Sequence, residues 1–237
     1  MGFIHGKNAE IWLGSKAVTA YLNSLNFKAD VDTADTTTFQ KTWKTAITGA
    51  IAASVDMGGF YDPTLDDVRG TLGVADGVLT VGPGGLLVVG DQARLISAIS
   101  TAYAETSPVK DAVGFAWSVQ ADGVAGMGVV LHPLAAEGAD ANGTDYDSTI
   151  VGGTATGAIA HLHVTGLTAG DSIAVKVQDA VTSSFADITG GAFTTVTAVG
   201  SQRLVIPGAI RRHLRVVWDV TVAGSNTITF GVAFART

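Results

Sequence analysis

The sequence has no cysteine, only five prolines, and few charges, with Asp, Glu, Lys and Arg making up 15% of its 237 residues. Without thiols there is no disulfide framework and no thiolate chemistry, so stability must come from packing or from assembly. No run of about 18 apolar residues occurs, which provides no membrane-spanning helix. The first twenty residues, MGFIHGKNAEIWLGSKAVTA, lack the basic start and apolar run of a secretory signal. The chain therefore reads as a soluble intracellular product with no membrane partner.

Helix-favouring Lys and Glu are scarce, while Gly reaches 30 residues and Val, Thr and Ala dominate. This composition favours strands joined by glycine turns, and the expected class is all-β. Mean hydropathy is +0.36, spread over small residues along the whole chain, as in proteins that cover their surface with copies of themselves.

The net charge of −7 is unevenly placed. Residues 1–150 hold 8 Lys/Arg against 17 Asp/Glu, and residues 151–237 hold 6 against 4. An acidic first half argues against specific nucleic-acid binding, which needs clustered cations to neutralise phosphates. It suits a surface past which DNA has to slide.

Alternation marks the strands. Val113, Phe115, Trp117 and Val119 share one face, as do Leu214, Val216, Trp218 and Val220, and Ile228, Phe230, Val232 and Phe234. Ile173, Val175 and Val177, and Leu162 with Val164, form two more such faces. Near the start, two strands meet at Gly14-Ser15, and a longer one follows from Asn23 to Asp32. A short helix is expected at about 63–72, with Asp62 as cap, Pro63 in the first turn and Asp66 and Asp67 near its positive end. Asp76-Gly77 and Gly82-Pro83-Gly84-Gly85 punctuate the apolar runs that follow into hairpins. The segment HPLAAEGADANGTDYD, His132–Asp147, is polar and aperiodic, and it marks a boundary. The resulting division is a first domain over 1–135, a linker or loop over 136–155 and a C-terminal β-sandwich domain over 156–237.

Candidate chemistry is sparse. His161 and His163 alternate onto one strand face, either as metal ligands or as strand histidines that are exposed or hydrogen-bonded. A structural zinc site takes four ligands, and two are present. Asp140, Asn142, Asp145 and Asp147 offer oxygens to a calcium ion, but the glycine position and the missing bidentate Glu exclude an EF-hand. GPGG has no following Lys-Ser/Thr and is a turn. No serine has a nucleophile-elbow setting, and the five histidines have no acid or nucleophile partner by spacing. No enzyme, cofactor or metal is expected. RRHLR, Arg211–Arg215, is the one basic cluster, with Arg211, His213 and Arg215 on one exposed face as a solvated surface or a partner patch.

The stretch DTTTFQKTWKTAITGA, Asp35–Ala50, holds six threonines, two aromatics and two lysines. Extended to DTTTFQKTWKTAITGAIAASVDMGGFYD, it resembles the signature of tail tube (major tail) proteins of long-tailed, siphovirus-like bacteriophages. That signature is a Thr-Thr-Phe stretch, a Thr/Lys-rich segment, a small-residue strand and a Gly-Phe-aromatic-Asp close. SVQADGVAGMGVVLHPL and the region from His161 to Val220 resemble further family elements, so the likeness runs over about residues 5–235. Val124–Met127 departs from it, the family turn there being more polar.

The resemblance implies a tail-tube β-sandwich or barrel with one short α-helix, followed by a C-terminal β-sandwich region. It implies a structural virion protein, assembled in the host cytoplasm, whose homo-hexameric rings stack into a hollow tail tube with initiator, terminator and tape-measure proteins as partners. Viral DNA passes through the bore without specific binding, and the acidic half is expected to line it. Phe39, Trp43, Phe60 and Tyr61 are the expected aromatic contacts between subunits, with Arg211 and Arg215 as charged ones; a monomer would instead pack those rings into its own core. Two rival readings are a carbohydrate-binding or adhesive module exposing Trp12, Trp43 and His161 on one face, and a capsid decoration protein.

Overall fold

The computed structural model describes residues 6–39, 42–63, 77–150, 153 and 156–237. Their strands are β1 (Glu10–Leu13), β2 (Lys16–Ala17), β3 (Leu22–Asp35), β4 (Ala46–Phe60), β5 (Gly77–Gly82), β6 (Gln92–Thr106), β7 (Gly114–Ala121) and β8 (Gly126–Glu137). They continue with β9 (Ala141–Asn142), β10 (Tyr146–Asp147), β11 (Ala158–Gly166), β12 (Ser172–Ala180), β13 (Ala186–Ala192), β14 (Gly200–Ile206), β15 (His213–Thr221) and β16 (Ile228–Arg236). Helical structure among the described residues consists of 3-10 turns at Gly6–Asn8 and Thr19–Tyr21 and of Pro63. The protein is all-β, as its composition requires. No helix of the described residues is long and apolar enough to cross a membrane.

The chain divides into two units interleaved in sequence. One comprises Met1–Ala20, Gly77–Ser97 and Val124–Thr237, and the other Tyr21–Asp76 and Ala98–Gly123. This partition differs from the serial division at 135 and 155, because a strand finds its partners by register, whatever the sequence distance between them. β6 contributes to both units, the division falling between Ser97 and Ala98.

In the first unit, one sheet runs β14-β11-β16-β8-β6-β5-β1-β2 and a second runs β10-β15-β12-β13, with β9 also on β15. Alternation predicts the faces that meet. Leu162 and Val164 of β11, Ile173, Val175 and Val177 of β12, Leu214, Val216 and Trp218 of β15, and Phe230, Val232 and Phe234 of β16 form one core. Each fully buried aliphatic or aromatic side chain of this kind stabilises the fold by about 1.5–3 kcal/mol. β16 goes beyond the alternating expectation, since its second face is buried too. There Ala233 and Ala235 join Trp12, Leu86, Leu95 and Ile159 in another cluster, and small side chains are what leave room for the indole.

Two connections differ from the sequence expectation. The 136–155 segment is not a free linker, because β8 extends to Glu137 and β9 and β10 pair antiparallel with β15. Its acidic side chains do the fastening. Asp140 Oδ1 accepts from Val220 N–H at 2.7 Å, and Arg212 donates two hydrogen bonds to Asp147 at 2.6 Å each. The run after Gly82–Gly85 forms no hairpin strand. Leu86 is buried, while Leu87 and Val88 are exposed in a turn whose N–H groups both donate to Asp91 Oδ2. The expected helix at about 63–72 lies, apart from Pro63, outside the described residues.

Candidate assembly surface

The second unit carries a four-stranded antiparallel sheet ordered β3-β4-β7-β6, with β3 and residues 98–106 of β6 as its edge strands. Register assigns every side chain to a face. One face is apolar and buried, with Val55 and Met57 opposite Val119 and Trp117, beside Phe115. Tyr103 stacks on Phe115 at 6.0 Å between centroids, and Trp117 Nε1–H donates to Ser100 Oγ. The other face is small and polar. It presents Asn26, Lys28 and Asp30 from β3, Ser54 and Asp56 from β4, and Ser118 and Gln120 from β7. Ser118 Oγ donates to Asp56 Oδ1 at 2.6 Å, and Lys28 pairs with Asp30 at 2.5 Å.

β7 covers β4 only from Ser54 to Phe60. Beyond that point β3 and β4 continue as a ribbon of two strands. Lys28 to Asp35, Ala46 to Gly49, Ile51 and Ala52 are all exposed, so both faces of the ribbon meet solvent. A two-stranded ribbon without a third strand or a covering layer is marginal on its own. Threonine reinforces it, by β propensity and by clamping the mouth of the loop. Thr36 N–H donates to Thr45 O at 2.8 Å, Thr45 N–H to Thr37 Oγ1 at 3.0 Å, and Thr37 N–H to Asp35 Oδ1 at 2.8 Å. The hydrogen bonds from Thr37 also hold the Asp35 carboxyl below its ordinary pKa.

That clamp carries Phe39 at 102% and Trp43 at 83% exposure. Neither ring enters a core. Phe60, at 54% exposure, and the half-buried Tyr61 lie at the opposite end of β4, about 45 Å from the tip at about 3.3 Å per residue. The four aromatics therefore form two separate pairs. Sequence reasoning missed the aliphatics between them, Val31, Ile47 and Ile51, which are exposed. Their signal is the loss of any one-sided apolar face where Asp30, Asp32 and Asp35 interleave with Val31 and Ala34.

The other predicted positions lie in the first unit. The basic cluster is engaged within the chain: Arg211 N–H donates to Asp179 Oδ2 at 2.7 Å, and Arg215 donates to Gln178 Oε1 at 2.8 Å and stacks over Phe185. Between them, Arg212 is taken by Asp147, and His213 lies 3.1 Å from Asp145. Asp140 and Asp145 are thus spent on β15 partners and Asp147 on Arg212 just before that strand, while Asn142 pairs with Val217 through the backbone. No group of three or more metal-ligating side chains assembles among the described residues. His161 and His163 are buried. Trp12 is buried as well, so the exposed Trp12, Trp43 and His161 platform of a carbohydrate-binding face does not form.

No protein-family model matches the chain, and no curated protein matches it. Among solved structures, the chain is similar to a subunit of the virion of a native gene transfer agent particle, at 14% identity over 53% of this chain and 98% of that one, with a TM-score of 0.45. It is similar to the tube-terminating cap of an anti-feeding prophage, at 12% identity over 52% of this chain and 89% of that one, with a TM-score of 0.41. A third likeness, to the SPP1 Dit protein of a phage hub adsorption apparatus, covers 96% of this chain and 99% of that one at 12% identity and a TM-score of 0.35.

Proposed function

We propose that this chain is a structural tail tube protein of a phage-like particle, built to assemble with copies of itself into rings and stacked tubes. The observation that carries the reading is the β3–β4 ribbon, two strands wide, exposed on both faces, with an outer β3 edge that has no strand partner among the described residues, and tipped with two exposed aromatics. A free edge of this length is an aggregation liability in a monomer. In a ring, the β3 edge of one subunit meets the 98–106 edge of the next, and each sheet continues into its neighbour. Six subunits of four strands each, the hexamer implied by the sequence resemblance, would close a barrel roughly 40–50 Å across the backbone. That leaves a bore for duplex DNA.

The two faces of the sheet then have different tasks. The polar face, with Asp30 and Asp56 against a single Lys28, suits a wet wall that repels phosphate. Phe39 and Trp43 at the tip are the contacts between rings, since exposed aromatics are favoured anchors. Phe60 and Tyr61 serve the far end of the strand. Arg211 and Arg215, already engaged within the chain, are the weaker contact candidates.

Negative-stain electron microscopy over rising protein concentration tests the reading. Uniform hollow rings or tubes are the expected result. A monomer that stays monodisperse at every concentration, or solid fibrils without a bore, would count against it.

A further inference from the structure

Three chain segments meet at Thr80 of β5, His161 and His163 of β11, and the Gly14 carbonyl between β1 and β2, all within the first unit. Every side chain in the cluster is buried. His163 Nδ1 lies 2.8 Å from Gly14 O, which can only accept, so Nδ1 carries the ring proton. The neutral ring then offers Nε2 as an acceptor, and Thr80 Oγ1, at 2.9 Å, donates its one proton there. Thr80 Oγ1 must in turn accept from His161 Nδ1 at 3.1 Å. The tautomers of both rings are fixed, and His161 Nε2 is left as a bare lone pair with no hydrogen-bond partner.

The network has no place for another proton. A proton on His163 Nε2 turns the Thr80 hydroxyl away from its acceptor, and a proton on His161 Nε2 creates a buried donor at an atom without a hydrogen-bond partner, a cost that the Leu79 backbone beside the ring offsets less than burial imposes. Unsatisfied buried donors are costly. The surrounding charges do not help. Arg203 of β14 stands opposite His161 and Lys16 of β2 is also cationic, while the Glu10 carboxylate of β1 is taken by Trp12 Nε1–H and Leu86 N–H. β5 brings no titratable side chain, and β16 places Ala233 and Gly231 opposite the two rings. Trp12 meets His163 edge-on at 5.6 Å.

We propose that the Thr80–His161–His163 cluster is an acid-sensitive latch, which holds β1, β2 and β5 onto β11 at neutral pH and releases them when a ring is protonated. Burial pushes His163 down to about 4, against a hydrogen bond to Gly14 that raises it, and burial likewise pushes His161 well below its usual range. Because the closed-state pKa is depressed, the latch is at full strength above the open-state value of about 6.5 and weakens as pH falls toward 4.

Hydrogen–deuterium exchange of the full chain at about pH 7.5 and pH 5, corrected for intrinsic rates, tests this. The β1 and β5 amides are expected to lose protection on the order of 30-fold at the lower pH, from the His163 titration alone. β12 and β15, which lie away from the cluster, should change far less. His132, another buried histidine whose pKa burial lowers, stacks on Phe230 in the other core. His132→Gln should leave the contrast intact. Equal loss of protection in β1, β5, β12 and β15, no loss at all, or a contrast abolished by His132→Gln would each overturn the latch.

Discussion

The triple variant Val31→Lys, Ile47→Lys, Ile51→Lys is expected to fold as the parent does and to remain monomeric under conditions where the ring assembly proposed for the parent takes place. The three side chains are 48%, 60% and 74% exposed, so the monomer gives up little burial, and each change should move its stability by no more than about 0.5 kcal/mol. Assembly is a different matter. A ring that continues the sheet through β3 and covers the ribbon has to desolvate three ammonium groups where the parent buries three aliphatic side chains, at a cost of several kcal/mol each. Since each 1.4 kcal/mol is about tenfold in affinity, even two such penalties move association beyond reachable concentrations. Sedimentation velocity measures the outcome, and a thermal melt shows whether the fold survives. Rings at the parent's concentration from a folded triple variant would remove the ribbon from the interface.

How far the sequence could be read depended on how local the controlling physics was. The alternating strands at Phe115–Val119, Ile173–Val177 and Leu214–Val220 were legible because a period of two needs no knowledge of partners. The unit boundaries were not legible. β6 serves one unit with Gln92–Ser97 and the other with Ala98–Thr106, and composition does not change at residue 98. The Asp-rich 136–155 segment carries the composition of a loop. Its carboxylates face Arg212, His213 and the Val220 N–H across sequence gaps of more than 60 residues. The buried state of His161 and His163 was signalled in part by the apolar residues on both faces of AIAHLHVTG, but Thr80, which accounts for it, lies 81 residues upstream of His161. The threonine-rich ribbon was the most legible part of the candidate surface, and Phe39 and Trp43 at its tip are exposed.

Gly128→Ala is expected to cost more than about 3 kcal/mol, and Gly128→Val to leave no folded protein, the upper end of what overpacking does in a core that cannot yield. A Cβ at Gly128 would lie 2.0 Å from the Phe234 carbonyl oxygen and 2.6 Å from Ala235 Cα. Both are backbone atoms of β16, so relief requires the β8–β16 pair to part. β16 is buried on both faces, and parting opens the Phe230–Val232–Phe234 core on one side and the Trp12–Ala233–Ala235 cluster on the other. Gly123 provides the contrast. A Cβ there meets nothing within 4 Å, and only its φ of +86° opposes a side chain, so Gly123→Ala should cost about 1 kcal/mol. Urea denaturation followed by tryptophan fluorescence compares the two variants, because Trp12 reports on the cluster that Gly128 protects. If Gly128→Ala unfolds within about 0.5 kcal/mol of the parent, β8 and β16 do not approach as closely as the sheet requires. The shared core of the first unit would then be looser than its small residues imply.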